Sequence, residues 1–272
     1  MEKYSVLMSL YKKENPEYLK QAIESMIEQS ILPDEIVIVE DGPLTEELYD
    51  VLDFYKQRYS NLFKIVKNEV NMGLGLALNN GLKACRNELI ARMDTDDISK
   101  SFRCERQLEV FRNDLEVAIV GAHIDEFNGN ISNVISSRKV PCKYEEIYEY
   151  AKKRSAFNHP VVMYKKSKVL ECGGYADLRR NQDVDLFGRM LFKGYKALNI
   201  DEALLWFRAD DSLAQRRKSW TNTKSYIHTI KKFWKMGYSS FSDYLIVLVA
   251  QIGMYIMPIK IQQLIYKLFL RK

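Results

Sequence analysis

The sequence predicts an α/β fold, a doubly wound and mainly parallel sheet with helices on both faces, followed by a helical basic tail. Three observations carry that reading. Short apolar runs of strand length alternate with stretches whose apolar residues recur at helical spacing. The run Glu35-Ile36-Val37-Ile38-Val39-Glu40 is β-branched without a polar side, the pattern of a parallel strand buried on both faces. Two of the runs end in acidic turns, Asp41-Gly42-Pro43 and Asp94-Thr95-Asp96-Asp97, at the carboxyl ends where open α/β sheets bind their ligands.

Taken in order, Tyr4 to Leu10 is a first strand that ends in Ser9-Leu10-Tyr11. Asn15-Pro16-Glu17 then supplies an N-cap, a proline at the first helical position and an acid in the first turn. Leu19, Ala22, Ile23, Met26 and Ile27 continue that helix as one apolar stripe, and Leu32-Pro33-Asp34 breaks it. After the second strand come a helix from about Thr45 to Tyr59 and a strand near Phe63 to Lys67. The loop from Asn71 to Gly81 feeds another helix. It is a poor dinucleotide fingerprint, since Leu78 stands where the third glycine belongs and the loop does not follow the first strand. Its glycines allow close backbone approach at the edge of a nucleotide pocket. A strand from Leu89, a helix from about Ser101 to Arg112 and a strand from Val117 to Gly121 complete a single doubly wound domain, residues 1–211.

The apolar run Leu89-Ile90-Ala91-Arg92-Met93 delivers three carboxylates within four residues. Like charges packed at one strand end repel, and a divalent cation is the simplest way to hold them together. An acidic surface loop is the plain alternative. Asp41 can accept hydrogen bonds from a nucleobase or ribose, or can simply belong to an Asp-Gly-Pro turn. Residues 122–150 are polar and weakly patterned, and His123 among them reads as structural. His159-Pro160 opens a further apolar run, and Cys172-Gly173-Gly174-Tyr175 is a turn. Gln182-Asp183-Val184-Asp185 starts a helix with acids in its first turn, where the helix dipole favours them. Asp183 there is a candidate general base, although a helix start alone would account for both acids. Arg208 follows a short apolar run, placed to reach a phosphate.

A chain of 272 residues with 47% hydrophobic residues can bury a sizeable core, which excludes a disordered protein. Its four cysteines show neither a Cys-x-x-Cys pair nor metal-finger spacing, so they read as reduced thiols on the cytosolic side. No signal peptide is expected, because the N-terminus runs straight into a strand. The net charge of +5 is uneven: residues 212–272 hold eleven Lys/Arg against one acid, Asp243, while residues 1–211 hold 30 basic and 35 acidic residues. Within that tail, Gln215 to Trp220, Lys224, Lys231, Lys232 and Lys235 interleave with Tyr226, Phe233 and Trp234. Tyr244 to Ile259 is apolar but interrupted, and shorter than the roughly 20 residues that cross a bilayer. Ile261, Leu264, Ile265, Leu268 and Phe269 repeat at helical spacing beside cations, which suits an interfacial helix on anionic lipid. Packing on its own domain or on a partner chain is the alternative.

Ser9-Leu10-Tyr11, Asp41-Gly42-Pro43, Asn71-x-Gly73, Asp94-Thr95-Asp96-Asp97, His159-Pro160, Gly173-Gly174-Tyr175 and Asp183-Val184-Asp185-Leu186, in this order over residues 4–210, resemble the family 2 glycosyltransferases. The resemblance is to bacterial members that build O-antigen, capsule or other exopolysaccharide. It implies a GT-A fold, a nucleotide-sugar donor, usually UDP-linked, a Mn²⁺ or Mg²⁺ ion, and an inverting reaction. On that pattern Asp94 and Asp96 hold the donor ribose and the metal, and Asp41 reads the base. Ser9, Tyr11 and Asn71 belong to the same donor pocket. Asp183 deprotonates the acceptor, with Gln182 standing where the family carries a glutamate. His159 either completes the metal shell, touches the diphosphate, or is a structural His-Pro turn. Processive relatives carry several membrane spans and a Gln-x-x-Arg-Trp motif that Gln215 to Trp220 does not match, so a single-sugar transfer is expected. The acceptor implied is a saccharide on a polyprenyl diphosphate at the cytoplasmic leaflet of the plasma membrane. Two rivals fit less well. A nucleotidyltransferase would carry a glycine-rich loop after the first strand. A nucleic-acid binder would leave the acidic cluster without a purpose.

Overall fold

In the computed structural model, which describes residues 3–209, 219–258 and 261–262, strand and helix alternate as expected. The first half comprises β1 (Tyr4–Leu10), α1 (Pro16–Ile27), β2 (Glu35–Asp41), α2 (Glu46–Arg58), β3 (Phe63–Asn68), α3 (Leu74–Ala84) and β4 (Leu89–Arg92). The expected cap forms: the Asn15 carboxamide oxygen accepts from the backbone N–H groups of Glu17 and Tyr18 at 2.8 and 3.3 Å. Beyond the acidic turn come β5 (Ile98–Ser99), α4 (Arg103–Asn113), β6 (Val117–Phe127), β7 (Val134–Arg138) and α5 (Tyr144–Ala151). A short 3-10 turn at His159–Val161 leads into β8 (Met163–Lys165), α6 (Lys166–Glu171), α7 (Gln182–Phe192) and β9 (Lys196–Arg208). Two helices follow, α8 (Trp220–Lys235) and α9 (Phe241–Ile256).

The strands form one sheet in the order β3-β2-β1-β4-β8-β6-β9-β5, with β7 paired to β6. β3, β2, β1 and β4 are parallel neighbours, and β6 and β9 are parallel to each other. β8 runs antiparallel between β4 and β6, so the sheet is mixed rather than wholly parallel. One face is covered by α1, α2 and α4, through residues such as Leu19, Ile23, Leu52 and Phe111. The other is covered by α3, α5, α7 and α8, through Leu78, Ile147, Met190 and Phe233.

Two strands are longer than periodicity indicates. β6 continues through His123, Asp125 and Glu126 because each polar side chain finds a partner. His123 meets Asp201, Asp125 takes Lys100 and Ser137, and Glu126 takes Ser136. β9 starts at Lys196 rather than near Leu204, with Asn199 donating to the carbonyls of Pro141 and Ala156. Polar groups that are paired are tolerated inside the sheet, and they hide the strand pattern.

The helices after residue 219 are seated on the body. Phe233 lies against Gly188 so closely that an added Cβ there would stand 2.0 Å from the ring. Lys232 reaches the Asp185 carboxylate at 2.5 Å, and the Tyr226 hydroxyl donates to the Lys153 carbonyl at 3.1 Å. α9 runs unbroken through Gln251 and Gly253. No helix among the described residues is long and apolar enough to cross a membrane. The basic run Arg216-Arg217-Lys218 and most of the expected interfacial helix, from Leu264 to Phe269, lie outside the described residues.

Candidate active site

Because β2, β1 and β4 are parallel neighbours, their carboxyl ends bring Asp41, Ser9 and the acidic turn to one edge of the sheet. There the carboxylates of Asp94, Asp96 and Asp97 converge, one oxygen from each lying within 4.8 Å of the others. A buried framework holds them. Arg92, the last residue of β4, is wholly buried; its backbone N–H donates to the Val162 carbonyl at 2.9 Å and its guanidinium bonds the Asp94 carboxylate. Arg103, equally buried, donates from Nη2 to the Arg92 carbonyl at 2.6 Å. Thr95 donates its hydroxyl to Glu14 at 2.5 Å.

Asp97 is anchored by the Arg208 backbone N–H at 2.8 Å, while its Oδ2 is buried without a hydrogen-bond partner. Burial drives its carboxyl well above the ordinary range, and the charges of Asp96 and Asp94 add to the push. Excess negative charge on clustered oxygen donors is the environment that suits a hard divalent cation.

The expectation that Arg208 reaches a phosphate needs correction. Its Nε donates to the Asp96 carbonyl at 2.8 Å and its Nη2 to Gln21 at 2.7 Å. The guanidinium is packed between Tyr18 and Phe127, 3.8 and 4.7 Å from their ring centres. Arg208 therefore braces the acidic turn from behind.

Of the alternatives open to His159, its contacts fit the structural one: it is not among the carboxylate group, and its Nε2 pairs with the Tyr175 hydroxyl at 3.0 Å. Burial, then the charge of Arg92, pushes its pKa well down, so the ring is neutral. A second cluster, His123, Cys142 and Asp201, also brings ligand-type atoms together. There the Val140 N–H donates to His123 Nδ1 at 3.3 Å, which puts the ring proton on Nε2, 2.9 Å from Asp201. A metal on Nε2 would have to displace that proton while Nδ1 still accepts, so this group is structural.

Asp41 points across to the end of β3 and the loop entering α3. Its Oδ1 accepts from Met72 N at 2.8 Å and Asn68 Nδ2 at 3.1 Å, and its Oδ2 from Gly73 N at 2.9 Å. Asn71 Nδ2 donates to the Asp41 carbonyl at 3.1 Å. Gly42 has φ of +85°, and a Cβ there would come within 2.7 Å of Asn71 N. Asp41 and Asn71 thus interlock the turn after β2 with the loop entering α3. Ser9 is half-buried at the end of β1, and Tyr11 stands exposed just past it.

α7 divides the labour of its two first-turn acids. Asp185 is fully buried and bridges Arg189 and Lys232, at 2.7 and 2.5 Å. Asp183 lies one position past Gln182 and is half-buried. Asn181 before them adopts a left-handed conformation, φ 61°, which turns the chain into the helix. Burial raises the Asp183 carboxyl's pKa, against the backbone N–H of Val184, its own N–H, and the charges of Arg138 and Arg92. Arg92 therefore acts electrostatically on both Asp94 and Asp183. Asn79 ties α3 to the adjoining turn by exchanging bonds with the Tyr175 N–H and carbonyl, each 2.8 Å. A Cβ on Gly75 would stand 2.8 Å from the Ala176 carbonyl oxygen. The sequence carries no signal for the role of Arg103, whereas a charge inside the apolar run Leu89 to Met93 marks Arg92.

Residues 5–174 match the family model described as Glycosyl transferase family 2. The chain belongs to this family. The glycosyltransferase is 35% identical over 270 residues to the UDP-Gal:alpha-D-GlcNAc-diphosphoundecaprenol beta-1,3-galactosyltransferase of Escherichia coli, covering 99% of this chain and 97% of the relative. It is 34% identical over 266 residues to the amylovoran biosynthesis glycosyltransferase AmsE of Erwinia amylovora, covering 97% and 98%. Its fold superposes on the mannosyltransferase PcManGT of Pyrobaculum calidifontis, solved in complex with GDP-Man and Mn²⁺, with a TM-score of 0.66 and 13% identity over 92% of this glycosyltransferase and 68% of that chain. The fold is GT-A, as the sequence motifs imply.

Proposed function

We propose that this glycosyltransferase moves a single hexose or N-acetylhexosamine, with inversion, from a UDP-linked donor to a hydroxyl of a saccharide carried on a polyprenyl diphosphate, during surface polysaccharide assembly. The observation that carries the reading is the convergence of Asp94, Asp96 and Asp97 at the carboxyl edge of the sheet, braced by the buried Arg92 guanidinium on Asp94. The acceptor class is supported by the Escherichia coli relative, named for a diphosphoundecaprenol substrate. An acceptor of that kind would have the enzyme work at the cytoplasmic face of the plasma membrane.

The acidic turn fits a divalent ion: three hard oxygen donors, one of them buried without a partner. Asp96 and Asp94 would hold Mn²⁺ or Mg²⁺, which when bound neutralises charge on the departing diphosphate. Arg92 fixes the orientation of Asp94, so donor and ion meet a preformed carboxylate. Asp41 and Asn71 shape the wall on which the nucleoside lies, beside Ser9 and Tyr11. Asp183, its basicity raised by burial, takes the proton from the acceptor hydroxyl as that oxygen attacks the anomeric carbon from the side opposite the leaving diphosphate. No covalent sugar–enzyme intermediate is needed, and one transfer inverts the anomeric centre.

The test is a panel of UDP-sugars incubated with the protein, Mn²⁺ and a polyprenyl-diphosphate-linked saccharide, scoring UDP release and product mass. Acceptor-dependent release from one donor, lost in Asp96→Ala, is expected. Transfer that persists in Asp96→Ala, or release without any saccharide product, overturns the assignment.

A further inference from the structure

Among the described residues, α9 carries more apolar surface than its neighbours cover. Phe241, Leu245, Val249, Ile252 and Ile256 recur at four-, four-, three- and four-residue intervals, forming one outward stripe, with Ile246 beside it. Val249 and Ile256 are 65% and 73% exposed, while Val247 on the opposite side is buried in the core. A surface helix ordinarily turns its apolar side inward, and a contiguous exposed apolar face marks an interaction site.

α8 lies alongside. Trp220 packs on Tyr255 at one end, ring centres 5.2 Å apart, and Trp234 packs on Phe241 and Tyr244 at the other, at 5.1 and 5.5 Å. The outward ridge of α8 is Trp220, Lys224, His228, Lys231 and Lys235, and the helix contains no acid. Lys232 turns inward to Asp185 instead. An apolar stripe is thus bordered by a row of cations and bounded by aromatic rings.

We propose that this two-helix face is a docking surface for an anionic lipid bilayer, with α9 lying flat in the interface and the α8 lysines meeting headgroup phosphates. The 16 residues of α9 extend about 24 Å, short of the roughly 30 Å hydrocarbon core, so the helix lies along the membrane rather than through it. Tryptophan and tyrosine at its margins suit the headgroup level. A second copy of the chain is the poorer occupant, because a two-fold contact would set each cationic ridge near its own mate. Each lysine at an anionic surface multiplies binding about five-fold, so the three ridge lysines together contribute about a hundred-fold. The use made of the docking, holding the site at the leaflet that presents its acceptor, rests on the lipid-linked substrate proposed above; the binding itself does not.

The experiment is flotation of the full chain with vesicles of phosphatidylcholine alone or mixed with phosphatidylglycerol, without donor or acceptor. The protein is expected to float with the mixed vesicles at low salt. Val249→Glu, a surface change, lowers that binding at least about ten-fold. Replacing Lys224, Lys231 and Lys235 together by serine lowers it about a hundred-fold on mixed vesicles and leaves phosphatidylcholine binding unchanged. Both variants retain wild-type melting temperature and wild-type transfer to a short soluble acceptor, which excludes misfolding. Flotation indifferent to Val249→Glu overturns the proposal. So does a wild-type protein that stays in solution as a dimer and becomes monomeric on that substitution. Docking as expected with no use of polyprenyl-linked acceptors sinks the acceptor reading alone; use of those acceptors without flotation sinks the docking alone.

Discussion

Asp183→Asn separates proton transfer from everything else the site does. The substitution is isosteric, and a carboxamide oxygen can still accept from the Val184 N–H that lies against the native carboxylate. What is lost is basicity. A positioned general base contributes about 10² to 10⁴ in rate, so kcat should fall by that factor, about 3–5 kcal/mol of barrier. The donor KM should stay within about three-fold, because the acidic turn and the loop pinned by Asp41 are untouched. The pH dependence gives an independent check. Burial raises the Asp183 pKa above the ordinary carboxylate value, and the base works only when ionised. Wild-type kcat/KM should therefore fall on acidification through a pKa higher than that of a free aspartate, and the variant should lose that limb. The assay is UDP release at saturating acceptor across pH. A drop in kcat of less than about ten-fold, or a variant that keeps the acid limb, would refute the assignment of Asp183 as base.

Three further outcomes follow from the same geometry. Asp96→Ala should abolish stimulation by Mn²⁺ and lower turnover by about a thousand-fold, the several kcal/mol a bound cation supplies, read as UDP release across a metal titration with a chelator control. Asp41→Asn puts an N–H where the Gly73 N–H now donates, which should cost about 1–3 kcal/mol of stability and raise the donor KM about ten-fold with kcat little changed, measured by thermal melting and initial rates. Phe233→Ala empties the contact with Gly188 and should cost about 3–5 kcal/mol, lowering Tm by about 10 °C in calorimetry without altering the donor KM.

Much of the first half was legible because its signals are local. Asn15-Pro16 marks a cap whatever surrounds it, and the Ile36 to Val39 run is buried on both faces whichever helices cover it. The acidic turn was equally visible, and the structure does bring its three oxygens together. What escaped reading depends on pairing across the chain. β6 extends to Phe127 only because Asp201, Lys100, Ser136 and Ser137 satisfy its polar residues, and those partners lie tens of residues away or in a hairpin of weak pattern. β8 is antiparallel, and no feature of Met163-Tyr164-Lys165 announces direction. Arg208 illustrates the limit at the site: its residue type fits a phosphate, but its guanidinium is engaged by Gln21 and the Asp96 carbonyl.

Repulsion among Asp94, Asp96 and Asp97 looked from sequence like a sufficient reason for a divalent ion. The structure shows that the protein brings cations of its own. Arg92 is buried beneath the turn and paired to Asp94, and Arg103 is buried a layer below, holding the Arg92 carbonyl. Removing water from two guanidinium groups is costly; the Asp94 carboxylate offsets it for Arg92, and Gln107 with the Arg92 carbonyl for Arg103. The turn and Arg92 therefore stabilise one another, which keeps the cluster assembled before any ligand arrives. Compensation is incomplete, though. Asp97 still titrates well above its ordinary value, chiefly from burial and then from Asp96 and Asp94, and its Oδ2 has no donor. The case for a metal thus rests less on three acids being adjacent than on negative charge left over after the protein's own arginines have been counted.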